Sequence, residues 1–324
     1  MIEVVRKGIA DTIQDTGRFG YQHLGINPNG AMDLAAMQVA NALVGNHLDE
    51  AVIELCHPAS AFHFETAALV AIGGANFSPK LNGKKIPINQ PVLLNARSEL
   101  KFSKPAWGTF AYLAVYGGFE LTTWLGSRST NIKARVGGMD GRPLKKFDSI
   151  APRLSIVDTD ECKVFPWRAN VQEFYPSFHR LRCIRGHEFD WLNKRSQADF
   201  LKKHFTISPQ SDRMGYRLQG PPINKSVEAE LLSTAVTFGT IQLLPGGELI
   251  ILMADHQTTG GYPRIAHVIS DDRSRLVQHR PGDRISFSFV SLEEAEDLLC
   301  SQQSRLRQLA AGCRHKLLEY FNVK

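Results

Sequence analysis

The chain has 324 residues, of which 43% are hydrophobic and 22% charged. These values are typical of soluble globular proteins and allow one large or two medium-sized hydrophobic cores, and the length favours two domains. The formal net charge is +6, but the basic residues are spread along the chain instead of forming a run, which argues against a nucleic-acid-binding protein. Anionic small molecules or an acidic partner account better for the surplus.

The N-terminal residues and the apolar segments give no sign of membrane targeting. Met1–Val5 lacks the basic and apolar regions of a secretory signal, and no apolar stretch reaches the length of a bilayer. We therefore expect a cytoplasmic protein with no membrane association.

The first predicted helix follows Asp33, a typical N-cap residue, and ends at Gly45. The side chains predicted on its buried face are Leu34, Met37, Ala40 and Val44.

Most of the chain has the two-residue alternation of short β-strands, separated by Gly and Pro. Two further helices are predicted, one from Glu188 to about Lys203 and an amphipathic one from Leu292 to the C-terminus. This pattern predicts a mainly β fold of the barrel or sandwich type. The clearest strands are Ala61–Phe64, Ala68–Ile72, Phe110–Val115 and Arg284–Phe289.

Similar segments occur in the same order in the two halves, which indicates duplication. Gly17–Tyr21 resembles Asp212–Tyr216, and Glu99–Phe102 resembles Asp283–Phe287. The segment Ala151–Pro166 is the predicted boundary. The predicted domains are residues 1–155 and 156–290, followed by a C-terminal amphipathic helix at 291–324.

Five cysteines are scattered along the chain without a Cys-x-x-Cys pair or a histidine at metal-ligand spacing. Free, mostly buried thiols are expected, with no disulfide framework and no bound metal. These residues are Cys56, Cys162, Cys183, Cys300 and Cys313.

Met253–Pro263 is the segment richest in candidate binding groups. A strand ends there and is followed by a dense set of donors and acceptors, with a Gly-Gly pair that lets the backbone approach a ligand closely. A plain turn is the alternative, because Asp, Gln, Thr and Gly all favour turns. Its candidate site residues are Asp255, Gln257, Thr259, Gly260 and Tyr262.

Ser211–Leu218 is the second candidate segment. Arg213 and Arg217 could bind a carboxylate or phosphate in bidentate fashion, and Tyr216 could orient it. Alternatively, Asp212 forms an ordinary surface ion pair with one of them.

Three other features are less specific. Asp33 opens a helix whose N-terminus could bind an anion, although a capping role is the simpler interpretation. His256 is the one histidine inside a candidate site. The chain has no Gly-x-x-x-x-Gly-Lys-Ser/Thr sequence, which excludes a P-loop.

A set of distinctive motifs follows a fixed order along the chain: Thr12–Gly20, Gly30–Asp33, Ala40–Asn46, Glu54, Gly73–Ala75, Tyr112–Gly118, Leu125–Thr130, Ser211–Leu218 and Asp255–Pro263. This ordered set resembles the family of biotin-dependent carboxyltransferases, also called allophanate hydrolase subunit 2 or carboxyltransferase subdomains A and B, which includes the stand-alone C subunits of 5-oxoprolinase. One departure is Phe147-Asp148, where the family usually has Gly-Asp.

The resemblance implies two tandem cyclophilin-like β-barrel domains. It also implies one component of an ATP-dependent 5-oxoprolinase, a hydrolase that phosphorylates 5-oxoproline and opens it to glutamate together with its companion A and B subunits. ATP with magnesium is expected in the complex. This chain has no biotin-attachment sequence, biotin carboxylase region or amidase region.

Two alternatives remain open at this stage. One is a biotin-dependent carboxyltransferase that acts on urea or a similar amide. The other is a regulatory binding subunit, of the type that antagonises a kinase inhibitor, whose loops and C-terminal helix bind a partner.

The expected site has two groups of residues. Arg213, Asp255 and Gln257 are the candidate catalytic residues: Arg213 would meet an anionic group, and the other two would hold the lactam N–H and carbonyl. The candidate substrate-binding residues are Arg18, Asp33, Tyr216, Thr259, Gly260 and Tyr262.

Overall fold

A computed structural model describes residues 1–156, 162–175 and 179–322. The predicted boundary at residues 155 and 156 adjoins residues 157–161, which lie outside the described residues, and it stays a prediction. The chain forms two compact units: unit 1 consists of Met1–Arg18, Asp33–Glu173 and Gln303–Lys324, and unit 2 of Phe19–Met32 and Phe174–Gln302.

Unit 1 contains two six-stranded sheets, ordered β11-β1-β4-β9-β6-β7 and β12-β8-β5-β10-β3-β2. The strands are β1 (Ile2–Arg6), β2 (Thr12–Gln14), β3 (Val52–Cys56), β4 (Ala61–Phe64), β5 (Ala68–Asn76), β6 (Lys80–Leu81), β7 (Lys84–Lys85), β8 (Pro91–Leu94), β9 (Ser98–Lys101), β10 (Trp107–Val115), β11 (Ser149–Ile150) and β12 (Lys163–Val164).

Helix α1 (Leu34–Leu43) packs on strands β5 and β10 of unit 1. Asp33 caps it as predicted, since its Oδ1 accepts a hydrogen bond from Ala36 N at 3.0 Å. A Cβ on Gly73 would lie 2.4 Å from Ala36 O, so this glycine lets the helix approach the sheet. Leu34, predicted on the buried face, is 42% exposed.

Phe147 occupies a backbone position that suits glycine. Its φ is +73°, in the left-handed region, and its side chain is 70% exposed. The neighbouring Asp148 accepts two hydrogen bonds from Arg142, at 2.7 and 2.9 Å. The departure from the Gly-Asp pattern is thus confined to a surface turn, and the ion pair beside it holds that turn in place.

Unit 2 is built on a closed seven-stranded barrel, ordered β13-β20-β17-β18-β15-β14-β21, with a two-stranded sheet β16-β19 beside it. The strands are β13 (Arg180–Arg185), β14 (Phe205–Ile207), β15 (Gly215–Gln219), β16 (Thr234–Ala235), β17 (Thr240–Leu243), β18 (Leu249–Leu252), β19 (Thr259–Gly260), β20 (Arg264–Val268) and β21 (Arg284–Phe289).

Helix α2 (Lys194–Lys202) packs against β21. It begins later than predicted because Phe189–Trp191 forms a 3-10 turn and Asn193 is the N-cap, accepting from Ser196 N at 2.8 Å. The helix buries Phe200 among four other aromatic rings, of which Phe287 is stacked on it with a centroid distance of 4.7 Å. The other three rings are Phe189, Phe205 and Phe289.

Helix α3 (Ser270–Val277) was not predicted. Its first turn carries Asp271 and Asp272, which suit a helix N-terminus. The buried Asp272 accepts hydrogen bonds from Arg182 N at 2.6 Å and Arg182 Nε at 3.1 Å. Ion pairing with β13 therefore compensates for the low hydrophobicity of this helix.

Helix α4 (Leu292–Asn322) confirms the predicted C-terminal helix. Among the residues that the structure describes, no helix is both long and apolar enough to cross a membrane. The predicted fold class, mainly β with barrel architecture and few helices, is confirmed. The strands predicted at 61–64 and 284–289 have the expected bounds, and those predicted at 68–72 and 110–115 are parts of β5 and β10.

The five cysteines are free thiols. Cys183 and Cys313 are buried, and burial raises the pKa of Cys313 to about 11. The prediction of mostly buried thiols holds for these two only, because Cys162 and Cys300 are exposed and Cys56 is partly buried.

Candidate functional site

Arg213 and Asp255 form a bidentate salt bridge in unit 2. Arg213 Nε donates to Asp255 Oδ2 and Arg213 Nη2 to Asp255 Oδ1, both at 2.9 Å, and the two side chains are 16% and 18% exposed. The backbone supports the pair, since Asp255 N donates to Arg213 O at 2.8 Å, in continuation of the β15–β18 ladder. The turn that presents Arg213 is held by Asp212, whose Oδ1 accepts from Met214 N at 2.8 Å.

The same ion pair binds the segment Phe19–Met32. Arg213 Nη2 donates to Gly30 O at 2.6 Å, and Asn29 Nδ2 donates to Asp255 Oδ1. Asn29 has a φ of +59°, a conformation that asparagine tolerates better than most residues. Both carboxylate oxygens of Asp255 are thus engaged within the protein, which suits a residue that positions loops.

A pocket of about 530 Å³ lies on the outer wall of the barrel in unit 2. Arg217 of β15, Ile250 of β18 and Gln242 of β17 line it and lie directly opposite one another in the strand register. Directly opposite residues of antiparallel strands project from the same face of a sheet. Ile250 and Leu252 give the pocket an apolar floor, and Gly215 keeps that floor open, because a Cβ there would lie 2.6 Å from Ile250 Cδ1.

The predicted loop Gln257–Tyr262 forms one side of this pocket. Gln257 is exposed, Tyr262 is 44% exposed, and both line the pocket. Thr259 and Gly260 form β19, which pairs with β16. A Cβ on Gly260 would lie 2.7 Å from Gln242 Nε2, so this glycine brings the loop backbone against Gln242.

The remaining predicted residues lie elsewhere. Tyr216 points into the barrel, where it is 5% exposed and its hydroxyl donates to Val277 O at 3.2 Å. In unit 1, Arg18 is fully buried, with its guanidinium 5.1 Å from the centre of the Trp124 ring and Nη2 donating to Ser129 O. Asp33 caps α1. The structure therefore brings Arg213 together with Asp255, and Gln257 together with Tyr262.

Unit 1 contains a buried polar row that the sequence did not indicate. Thr12, Glu54, Tyr112 and Gly73 lie opposite one another across β2, β3, β10 and β5. The Tyr112 hydroxyl donates to Glu54 Oε2 at 2.9 Å and accepts from Asp33 N at 2.6 Å. Burial is the main cause that raises the pKa of Tyr112. This row connects the sheet to the start of α1.

Gln242 was also missed, whereas Arg217 was named from the sequence as a possible carboxylate or phosphate contact. Gln242 lies inside a strand and is flanked by Ile241 and Leu243, so it resembles an ordinary polar position in an alternating strand. Its proximity to Arg217 follows from the order of strands β15, β18 and β17, which the sequence does not reveal.

His267 of β20 couples the stability of unit 2 to pH. Its Nδ1 lies 3.2 Å from Thr240 Oγ1. Burial, reinforced by the nearby Arg273 and Arg264, lowers the pKa of His267 to about 4. The unfolded chain takes up a proton near pH 6.5, whereas the folded imidazole stays neutral to about pH 4. The stabilisation is therefore complete above pH 6.5 and is lost as the pH falls towards 4.

We expect the His267→Gln variant to lose less stability than the wild type between pH 7 and pH 4.5. A pKa depression of this size is worth roughly 3 kcal/mol, and urea unfolding at the two pH values measures it. Asp11, whose pKa burial raises to about 6, acts in the opposite direction in both proteins and cancels in the comparison. His315→Gln, at an exposed position, controls for loss of an imidazole. Equal pH dependence of wild type and His267→Gln would contradict the prediction.

Among the residues that the structure describes, no group of three or more His, Cys, Asp or Glu side chains is arranged to hold a metal ion.

The chain is mainly β and contains a closed seven-stranded barrel. Residues 24–289 match the family described as carboxyltransferase domain, subdomain A and B, and the chain belongs to this family. The family resemblance expected from the sequence motifs is confirmed.

Two curated relatives match this chain almost from end to end. It is 36% identical to the C subunit of 5-oxoprolinase from Escherichia coli K12 over 310 residues, covering 96% of this chain and 98% of that protein. The corresponding protein of Haemophilus influenzae is 35% identical, with 95% and 97% covered.

A solved structure with a similar fold is the urea amidolyase of Kluyveromyces lactis. The TM-score is 0.87 at 27% identity, and the match covers 95% of this chain but only 20% of the urea amidolyase chain. This chain therefore spans about a fifth of that protein.

Proposed function

We propose that this chain is the C subunit of an ATP-dependent 5-oxoprolinase. The observation that carries the proposal is the match to the E. coli protein over 98% of its length at 36% identity. By contrast, the chain corresponds to only a fifth of the K. lactis urea amidolyase.

In the proposed reaction the lactam oxygen of 5-oxoproline attacks the γ-phosphorus of ATP and ADP leaves. Water then adds to the activated carbon, the ring C–N bond breaks, phosphate is released and glutamate forms. An amide oxygen is a weak nucleophile, so the complex must position it and stabilise the transferring phosphoryl group.

The contribution of this chain to the reaction is to bind and orient the small amide. Gln257 and Tyr262 line the pocket of unit 2 and are its candidate substrate contacts. Thr259 and Gly260 lie between them in β19 and hold the loop that carries them. A pocket with an apolar floor and a few polar groups suits a small amide substrate.

Arg213 and Asp255 are required for activity in this proposal because they position the loop that carries Gln257. They hold the start of the loop that carries Gln257, because Asp255 is bonded to both Arg213 and Asn29. In unit 1, Arg18 and Asp33 hold the framework, as Tyr216 does inside the barrel.

The proposed partners are the companion A and B subunits, in the cytoplasm. ATP and its magnesium ion belong to the assembled complex, and no contact with them is assigned to this chain. ATP supplies the phosphoryl group that activates the amide.

A biotin-dependent carboxyltransferase acting on urea or a similar amide is the second candidate. It is favoured by the structural similarity to urea amidolyase, with a TM-score of 0.87. Both candidates use a small amide as the acceptor, so the product of the reaction separates them.

The test is product formation by the reconstituted complex of this chain with the A and B subunits. With ATP, magnesium and isotopically labelled 5-oxoproline, mass spectrometry should detect labelled glutamate, and omission of this chain should abolish it. Carboxylation of urea by a biotin carboxylase system that depends on this chain, without glutamate formation, would support the second candidate.

A further inference from the structure

The carboxamide of Gln242 is incompletely hydrogen-bonded although its side chain is buried. The residue is 1% exposed, and Oε1 has no hydrogen-bond partner within residues 1–156, 162–175 and 179–322. Its Nε2 makes one long contact, to Tyr262 O at 3.4 Å. Buried polar groups are nearly always satisfied, so such an exception points to a role other than stability.

The amide orientation itself is well defined. Exchanging the oxygen and nitrogen would place Oε1 against Tyr262 O, and two acceptors would then face each other. The unsatisfied atom is therefore an acceptor that lacks a donor.

A guanidinium lies within reach of this carboxamide on the pocket wall. Arg217 and Gln242 are both opposite Ile250, one strand away on either side. Neighbouring strands are nearly 5 Å apart, so the Cα atoms of Arg217 and Gln242 are about 10 Å apart across the pocket floor. Arg217 is exposed and forms no ion pair in the described part of the chain.

The separation of Gln242 and Arg217 suits a small cyclic amide that carries a carboxylate. In a lactam the N–H and C=O are cis and point from one edge of the ring, so the carboxamide of glutamine can pair with both. Gly260 and Tyr262 cover this carboxamide, so binding requires their loop to move aside. Oε1 would then accept from the ring N–H, and Nε2 would donate to the ring carbonyl. Arg217 could hold the carboxylate with two parallel hydrogen bonds, and the ring methylenes would lie on Ile250.

The pocket also contains two carboxylates, Asp212 and Glu248. Asp212 Oδ1 accepts hydrogen bonds from Met214 N and Gly215 N, which partly neutralise it. Arg217 lies on the same wall and offsets the repulsion that these groups exert on an anionic ligand.

We propose that Gln242 is the residue that recognises the cis-amide edge of the substrate, with Arg217 as the carboxylate contact. The identity of the ligand as 5-oxoproline rests on the proposed function, whereas the recognition of a cis-amide edge does not. This assigns to Gln242 the contacts with the lactam N–H and carbonyl that the sequence had suggested for Asp255 and Gln257.

The Gln242→Met variant tests the assignment because it keeps the length of the side chain and removes both polar atoms. We expect the melting temperature to stay equal or rise by about 2–4 °C, since an unsatisfied buried acceptor is removed. We expect 5-oxoproline to bind at least tenfold more weakly, and KM in the complex to rise by a similar factor. Gln219→Met, on the exposed end of β15, is the matched control and should bind as the wild type does.

Direct binding is measured by saturation-transfer NMR on the full chain, alone and in the complex, with three probes. 5-Oxoproline and 2-pyrrolidinone present a cis-amide edge, whereas L-proline has the ring and carboxylate without the carbonyl. The proposal expects the first two to bind in a manner that depends on Gln242, and L-proline at least tenfold more weakly than 5-oxoproline. An Arg217→Gln variant should weaken 5-oxoproline but not 2-pyrrolidinone.

The outcomes separate the two proposals. If the complex converts 5-oxoproline but Gln242→Met binds it as the wild type does, the assignment of Gln242 is wrong and the proposed function stands. If 2-pyrrolidinone binds through Gln242 while the complex leaves 5-oxoproline unchanged, the assignment stands and the proposed function is wrong. If no cis-amide probe binds to the chain or to the complex, the assignment is overturned.

Discussion

The Arg213→Ala variant is expected to reduce the 5-oxoproline-dependent turnover of the assembled complex on the order of a hundredfold. Arg213 bonds both oxygens of Asp255 and the carbonyl of Gly30, at 2.6 to 2.9 Å. Without it a largely buried carboxylate loses its cation, and the loop that leads to Gln257 loses its anchor. Misplacement of a binding loop by about 1 Å is sufficient for a loss of this size.

Co-purification with the companion subunits should show that the Arg213→Ala complex still assembles. The matched control is Arg185→Ala, which breaks the Arg185–Asp190 pair on an exposed surface, where the side chains are 50% and 71% exposed. Such pairs contribute little, so the control should keep turnover within about twofold of the wild type.

A double-mutant cycle distinguishes positioning from independent catalytic roles. If Arg213 and Asp255 act as one positioning unit, the Arg213→Ala/Asp255→Asn variant should be no worse than either single variant. Multiplicative losses would indicate that each residue acts separately on the substrate. Near-normal turnover of both single variants would mean that this ion pair is not needed to position the loop that carries Gln257.

The Phe200→Ala variant is expected to lower the free energy of unfolding of unit 2 by about 3–5 kcal/mol. Phe200 is fully buried and contacts four aromatic rings, with Phe287 stacked at 4.7 Å and Phe289 at 5.8 Å. Alanine would leave a cavity between α2 and the barrel, which the rigid strands cannot fill. Urea denaturation followed by intrinsic fluorescence measures the loss.

Phe147→Ala is the control for the loss of a phenylalanine as such. Phe147 is 70% exposed at a turn, so its removal should change the free energy of unfolding by no more than about 0.5 kcal/mol. A loss below about 1 kcal/mol for Phe200→Ala would show that the aromatic cluster repacks and does not hold α2 in place.

The sequence predicted correctly the helices and strands that are specified by residues close together in the chain. Asp33 caps α1 because a carboxylate next to the free amides of a helix start is stabilising wherever it occurs. Alternation predicted β4 and β21 because each has one face on a core. The long C-terminal helix was evident from its amphipathic pattern.

Long-range contacts explain the elements that were missed. Helix α3 is short and polar, and its acidic residues are stabilised by Arg182, 90 positions away from Asp272. Leu34 was placed on the buried face by its spacing alone, yet it lies in the first turn of α1, where it is 42% exposed.

In the candidate site, too, the sequence revealed the residues with local signals and missed those that depend on long-range contacts. The sequence identified the loop at Gln257 and Tyr262 because it is dense in polar groups and glycine. It gave no sign that the carboxylate of Asp255 would be hydrogen-bonded by Arg213, 42 positions away, and by Asn29, 226 positions away. Gln242 was missed because its burial depends on contact with Tyr262 and Gly260, about 20 positions further along the chain.

The most direct test of the proposed function is phosphate release from ATP by mixtures of this chain with the A and B subunits. The proposal predicts that release depends on 5-oxoproline and stops when this chain alone is omitted. It also predicts about one phosphate for each glutamate formed. Release that continues at an unchanged rate without this chain, or that does not respond to 5-oxoproline in the complete mixture, would contradict it.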